Sequence, residues 1–250
     1  MKNAFRGNYC YRTDIGKVRS SNEDETKIVT NSSGNVLLIV ADGMGGHNKG
    51  DFASFETVRI ISEAFKDKKG FLNAYFASKW LKNITKVANS TIFNLQDQDV
   101  TYKGMGTTLS MALIMKDKLV LLNCGDSRIY IKRKGKLIQL SEDQTYVNFL
   151  VKSGQISKEE ALTHPERHVL TNAVGIFPSL SADVRILEYH GEAVFICSDG
   201  LYNNVREKDI LNVLEMKIPT SDKVQSLISL ANFNGGSDNI TIALWETLDD

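Results

Sequence analysis

Asp42, Asp199 and Asp238 each stand where an apolar run meets a turn, and carboxylates in that setting can hold a metal. Val36-Leu37-Leu38-Ile39-Val40-Ala41 leads into Asp42-Gly43-Met44-Gly45-Gly46, and Val194-Phe195-Ile196-Cys197-Ser198 leads into Asp199-Gly200. Gly235-Gly236-Ser237-Asp238-Asn239 opens the run Ile240-Thr241-Ile242-Ala243-Leu244, and Leu119 to Asp126 repeats the pattern more weakly. A short apolar run reads as a buried strand. A carboxylate at its rim, beside glycine, is free to face something other than water. Several such carboxylates that converge cannot all stay ionised without a compensating cation. The pattern therefore points to a metal site built from oxygen ligands.

The ligand type narrows the metal. Zinc and copper favour His and Cys, whereas carboxylates, carbonyls and waters suit Mg²⁺, Mn²⁺ or Ca²⁺. The chain has only 4 His and 3 Cys, with no Cys-x-x-Cys and no His-Glu-x-x-His. A hard divalent cation is expected.

Strands must position these acids. Tyr9–Ile15 and Glu25–Thr30 read as strands, with a hairpin turn at Asn31-Ser32-Ser33-Gly34-Asn35. Two long helices are expected at about 51–67 and 71–96, the second placing Leu72, Tyr75, Phe76, Trp80, Ile84, Val87, Ile92 and Leu95 near helical spacing, its aromatic residues in the core. Leu109–Met115, Lys118–Cys124, Arg128–Ile131 and Leu137–Leu140 read as a meander. From Ser141 to Leu180 the pattern is helical and irregular, with capping boxes at Ser141–Gln144 and Ser157–Glu160. Strands return at Ala182–Tyr189 and Ala193–Cys197, followed by helices at about 207–216 and 221–233 and a last strand from Ile240. Blocks of strands and helices of this kind favour an α+β fold with segregated helical layers over alternating βαβ units.

The 250 residues suit a single domain spanning 1–250, with a flap-like surface subdomain at about 141–180. Lys+Arg and Asp+Glu both number 30, so no global field steers the protein towards nucleic acid or anionic lipid. The N-terminus lacks an apolar leader and no stretch reaches membrane-span length, so a cytoplasmic protein is expected, with a monomer as the default. Cys10, Cys124 and Cys197 are odd in number, which fits reduced thiols.

Several chemistries fail on spacing. A dinucleotide fingerprint from Gly43 and Gly45 needs glycine where Asn48 stands, and a P-loop from Gly45 and Gly50 needs lysine where Asp51 stands. A thiol phosphatase needs Arg six positions after Cys, but those positions hold Gly16, Tyr130 and Asn203. No Gly-x-Ser-x-Gly elbow is present.

The segment Asp14-Ile15-Gly16-Lys17-Val18-Arg19-Ser20-Ser21-Asn22-Glu23-Asp24 completes the set. With it the chain resembles the metal-dependent protein phosphatases of the 2C family, compact bacterial type. The likeness runs in order through Arg19–Asp24, Val40–Gly50, Gly104–Leu109, Gly125–Arg128, His164–Gly175, Cys197–Leu201 and Gly236–Thr241. It implies a four-layer α-β-β-α sandwich of two antiparallel sheets flanked by helices. It also implies a binuclear Mn²⁺ or Mg²⁺ centre, with Asp42 bridging two metals. Asp199 and Asp238 would complete one, and Glu23 with the Gly43 carbonyl would serve the other. Asp126 would hold a third, weaker metal that also uses Asp199. Asp24 would orient a metal-bound water from behind the ligands, with Asn239 also in that outer layer. Arg19 would bind the substrate phosphate, and its planar fork suits that task. Asp42, Asp199, Asp238 and Arg19 thus form the catalytic set.

The implied activity is dephosphorylation of phosphoserine and phosphothreonine in proteins, the substrates of a cognate Ser/Thr kinase. Paired cations lower the pKa of a shared water, which supplies the nucleophile near neutral pH. A phosphoprotein-binding pseudophosphatase and a hydrolase of small phosphate esters are the alternatives. Loss of a metal carboxylate would mark the first, and none is lost. The chain departs from eukaryotic members at Met44, where they carry a histidine proposed as general acid. His47 lies nearby as a candidate replacement, and the remaining histidines read mostly as packing or surface residues. Gln144 stands where many members have histidine.

Overall fold

In the computed structural model, which describes residues 6–45 and 49–248, β1 (Gly7–Asp14) is followed by a hairpin of β2 (Asp24–Thr30) and β3 (Val36–Met44). Asn31 closes that hairpin: its Oδ1 accepts the backbone N–H groups of Ser33 and Asn35, both at 3.1 Å. Helices α1 (Gly50–Lys66) and α2 (Ala74–Leu95) come next. They lead to β4 (Gly106–Thr107), β5 (Leu109–Ile114), β6 (Lys118–Cys124), β7 (Arg128–Arg133) and β8 (Lys136–Gln139). Two short helices, α3 (Tyr146–Lys152) and α4 (Lys158–Thr163), precede β9 (Asp183–Glu188) and β10 (Ala193–Cys197). The chain ends with α5 (Asp199–Tyr202), α6 (Glu207–Glu215), α7 (Thr220–Phe233) and β11 (Ile240–Thr247).

The strands form two antiparallel sheets, in the orders β1-β11-β10-β7-β8 and β2-β3-β5-β6-β9, with β4 added to β3. Successive side chains of a strand point to opposite faces, and here both faces are covered. Leu37 and Ile39 pack with Ile61 of α1 and Leu81 and Ile92 of α2. Their neighbours Val36, Leu38 and Val40 meet Ile129, Ile131, Val194 and Ile196 of the facing sheet. On the far side, Phe195, Ile242 and Leu244 pack with Leu214 of α6 and Val224 and Leu227 of α7. The result is the α-β-β-α sandwich. Burial on both faces explains why these strands read as unbroken apolar runs.

Four sequence expectations change. The 109–140 meander is split: β5 and β6 lie in one sheet and β7 and β8 in the other, with Gly125-Asp126-Ser127 crossing between them. On α2 the buried stripe is Ala77, Leu81, Ala88 and Ile92, while Tyr75, Phe76 and Val87 are exposed, as is Leu72, which lies ahead of the helix. Small residues let the helix approach the sheet closely, so the large ones are left facing out; Trp80, Ile84 and Leu95 pack on the core's margin. The Ser141 capping box does not form. Ser141 Oγ instead accepts the Ile129 N–H at 2.9 Å, and the helix starts later, capped by Thr145. The box at Ser157–Glu160 is present. Finally, Asp42 lies inside β3, because β4 prolongs the pairing through Gly43 and Met44.

Cys124 and Cys197 are buried and Cys10 half-buried, all unpaired. Burial pushes the Cys124 and Cys197 thiols well above their ordinary range, which makes them poor nucleophiles. Among the described residues no helix is long and apolar enough to cross a membrane.

Candidate metal centre

One cavity of about 640 Å³ at an end of the sandwich is lined by Arg19, Glu23, Asp42, Gly43, Asp126, Asp199, Asp238 and Asn239. Each arrives from a different part of the fold. Arg19 and Glu23 lie in the β1–β2 connection, Asp42 and Gly43 in β3, and Asp126 in the β6–β7 crossover. Asp199 begins α5, and Asp238 and Asn239 precede β11. Asp24 sits behind this lining, 6% exposed.

The β2–β3 ladder places Asp24 directly opposite Asp42. Two carboxylates opposed across a ladder and taken out of water cannot both ionise without a cation. Burial is the main force raising the Asp42 carboxyl well above the usual range, followed by the charges of Asp24, Asp199 and Asp126. Asp199 is raised well above its ordinary value by burial and then by Asp126 and Asp238. Burial also lifts Asp24 to about 6, opposed by the hydrogen bond that Ser198 Oγ donates to its Oδ2 at 2.7 Å. Asp126 is lifted to about 6 by burial and the charge of Asp143. Glu23 is raised by burial and by Asp51.

The acids are rigidly backed. Thr108 Oγ1 accepts the Asp42 N–H at 2.9 Å, and Thr107 Oγ1 donates to the Asp42 carbonyl at 2.9 Å. At Gly43 any Cβ would come within 2.2 Å of the Gly50 carbonyl and 2.4 Å of the Glu23 carbonyl, so only glycine fits. Asn239 Oδ1 accepts the Glu23 N–H at 2.9 Å, while its Nδ2 donates to the Ile15 and Ser21 carbonyls. This one amide ties the Asp238 turn to the segment that carries Arg19 and Glu23.

Gln144, whose role the sequence left open, holds the crossover loop. Its Oε1 accepts the Gly125 N–H at 3.0 Å and Asn172 Nδ2 at 2.8 Å. Its backbone N–H donates to the Gly125 carbonyl, and the Gln144 carbonyl accepts the Thr171 N–H. The irregular 141–180 segment is thereby fastened at both ends beside Asp126. His168 of that segment lines the same cavity, with Nδ1 3.9 Å from Asp199 Oδ2. Sequence reasoning missed it because a lone histidine has no ligand spacing. Its only signal was its place within the His164–Gly175 block. His47 lies outside the described residues.

The lining acids offer only oxygen, are half-buried apart from the buried Asp126, and are short of positive charge, which fits a hard divalent cation and not zinc. Arg19 brings positive charge to the acids: its Nη2 donates to Asp238 Oδ2 at 2.7 Å. Among the described residues no three His, Cys, Asp or Glu side chains already close on one point, so the site is a ring of acids around a cavity.

Residues 16–233 match the Protein phosphatase 2C family, and the chain belongs to it. It is 38% identical over 237 residues to the serine/threonine phosphatase stp of Listeria welshimeri, covering 94% of each chain. The solved S. agalactiae serine/threonine phosphatase superposes with a TM-score of 0.92 at 37% identity, covering 97% of this chain and 100% of that one. The catalytic domain of the phosphatase PstP, solved in complex with 2 manganese ions, superposes with a TM-score of 0.83 at 33% identity, covering 97% and 99%.

Proposed function

We infer that this protein removes phosphate from phosphoserine and phosphothreonine in proteins, using Mn²⁺ or Mg²⁺. The observation that carries this reading is a set of mutually repelling carboxylates, half-buried apart from the buried Asp126, lining one cavity with an arginine. Asp42, Asp199 and Asp238 would hold one cation, and Asp42, Glu23 and the Gly43 carbonyl a second. Asp126 with Asp199 would take a third. When bound, the cations supply a water of lowered pKa and offset phosphoryl charge. Asp24, held by Ser198, would accept a hydrogen bond from behind Asp42. With Asp238 turned to a cation, the fork of Arg19 is free for two phosphoryl oxygens.

Retention of every carboxylate favours an enzyme over a pseudophosphatase. The exposed 141–180 segment beside the cavity, which we regard as a flap-like subdomain of a single domain, favours a protein substrate over a small ester. A cytoplasmic monomer that opposes a cognate Ser/Thr kinase fits the same reading. The deciding assay supplies Mn²⁺ to the metal-stripped protein and compares a phosphothreonine peptide with nucleotides as substrates. Faster release of phosphate from the peptide is expected. Preference for nucleotides would favour the small-ester reading, and no hydrolysis of either would favour the pseudophosphatase.

Arg19 tests the phosphate contact. Its ion pair with Asp238 is half-exposed, so its loss should leave stability nearly unchanged. A charge-assisted hydrogen bond is worth about 1.5–3 kcal/mol, so Arg19→Ala should weaken phosphopeptide binding roughly 10- to 100-fold. Arg19→Lys should recover only part, because an ammonium lacks the fork. Steady-state kinetics at saturating Mn²⁺ checks this, and a wild-type KM and kcat in Arg19→Ala would return it to a surface arginine.

A further inference from the structure

The cavity that holds the acids has a second lining that phosphoryl chemistry does not need. Met44, Leu170, Ala173, Ile176 and Phe177 border the same space as the carboxylates. Phe177 is 51% exposed, an aromatic ring left in water at the lip of a charged cleft. An exposed apolar surface rimmed by polar groups marks an interaction site.

The backbone beneath this ring is firmly held. Asn89 of α2, only 2% exposed, accepts the Gly175 N–H at 2.8 Å on its Oδ1 and donates from Nδ2 to the Phe177 carbonyl at 2.9 Å. Gln96, about two turns further along at the helix C-terminus, donates to the Gly175 carbonyl. Val174 exchanges both backbone hydrogen bonds with Thr107, at 2.8 and 3.0 Å. Ile176 is seated on Gly106, where an added Cβ would lie 2.7 Å from Ile176 Cδ1. Gly106 and Thr107 form β4, which pairs with Gly43 and Met44. The loop is therefore joined through one short strand to the edge that carries Asp42. Phe177 is presented at a fixed place relative to the acids, which is what a specificity contact requires.

We propose that Ile176 and Phe177 form an apolar subsite that receives an apolar side chain next to the phosphorylated residue of the substrate protein. This rests on the phosphatase reading above and adds a sequence preference to it. A charged side chain would have to shed its water to enter an apolar contact, so the subsite discriminates against Asp and Glu as well as selecting for Leu, Met or Phe. Ile176 and Phe177 offer no polar side-chain group to a phosphoryl oxygen, so on this reading the contact affects which peptide is bound and leaves the chemical step alone.

The test measures kcat and KM, with Mn²⁺, on phosphothreonine peptides carrying Leu, Ala, Lys or Glu at each of the flanking positions. Capped phosphothreonine, which has no flanking side chain, is the reference. Wild type should favour Leu over Ala by about tenfold at one flanking position, the range of a single apolar contact, and disfavour Glu. Phe177→Ala should raise KM for the Leu peptide about tenfold, remove the Leu preference and leave capped phosphothreonine unchanged. Phe177→Glu should shift the preference to Lys, a gain that a merely structural residue would not produce. Phosphopeptide hydrolysis without any flanking preference would overturn the subsite and leave the phosphatase reading standing. An equal loss on capped phosphothreonine in Phe177→Ala would also overturn it, by making the loop a support for the acids. Failure of wild type on every phosphopeptide would overturn both.

Discussion

Asp42→Ala and Asp199→Ala are each expected to lower phosphopeptide hydrolysis by roughly 10³-fold or more, the scale on which loss of one electrostatic stabiliser at a reacting centre is felt. Both variants should nevertheless fold. In the metal-free protein Asp42 faces Asp24 across the ladder, where it is set against the charges of Asp24, Asp199 and Asp126 and shares one side-chain hydrogen bond with Asp24. Removing it relieves repulsion and forfeits that bond, so the metal-free Tm should stay near wild type while Mn²⁺ binding falls. Calorimetric Mn²⁺ titration and a thermal melt in chelator, run beside the kinetic assay, separate this from simple unfolding. Wild-type turnover in either variant, or full activity of chelator-treated wild type, would remove the metal mechanism.

Metal-free wild type should lose stability as pH rises from about 4 to about 6 and beyond, the reverse of most acid-sensitive proteins. An unfolded Asp titrates near 3.9, whereas Asp24 and Asp126 are held at about 6 in the folded chain. Between those values the native state binds protons that the unfolded state has released, so stability has a negative slope with pH. The stability is fully present below about 4 and is lost as pH passes through the folded values, on the order of 2–3 kcal/mol per group. Asp42 and Asp199, raised further, extend the decline above 6. Glu56 and Glu192, whose carboxyls are lowered, act in the opposite sense but below this window. Added Mn²⁺ near neutral pH should restore the loss by mass action. Urea unfolding of metal-stripped protein from pH 4.5 to 8 measures the profile, and Asp24→Asn and Asp126→Asn should flatten it. A profile rising with pH in wild type would mean that burial does not raise these carboxyls.

The strands were legible because their signal is local. Val36–Ala41 and Val194–Cys197 are buried on both faces, so the apolar runs are unbroken, and the hairpin at Asn31 rests on contacts within five residues. What misread was non-local. Large residues at helical spacing on α2 point to a core face, yet Ala77 and Ala88 are buried and Tyr75 and Phe76 exposed. A helix chooses its buried face by how closely it can approach the sheet, which residue size alone does not reveal. The Ser141 box lost its helix because the Ile129 N–H claimed the hydroxyl from another strand.

The site divides in the same way. The acids at the strand ends and the glycines beside them are legible in the sequence alone, since each depends on residue type and immediate neighbours. Only the tertiary structure decided that Asp126 reaches the cavity, because this requires the chain to leave one sheet at Cys124 and enter the other at Arg128. The same is true of His168 beside Asp199, of Gln144 clamping Gly125, and of Phe177 at the lip. Each is placed by packing between segments far apart in the chain, and no spacing within a segment encodes which distant backbone its hydrogen bonds will meet.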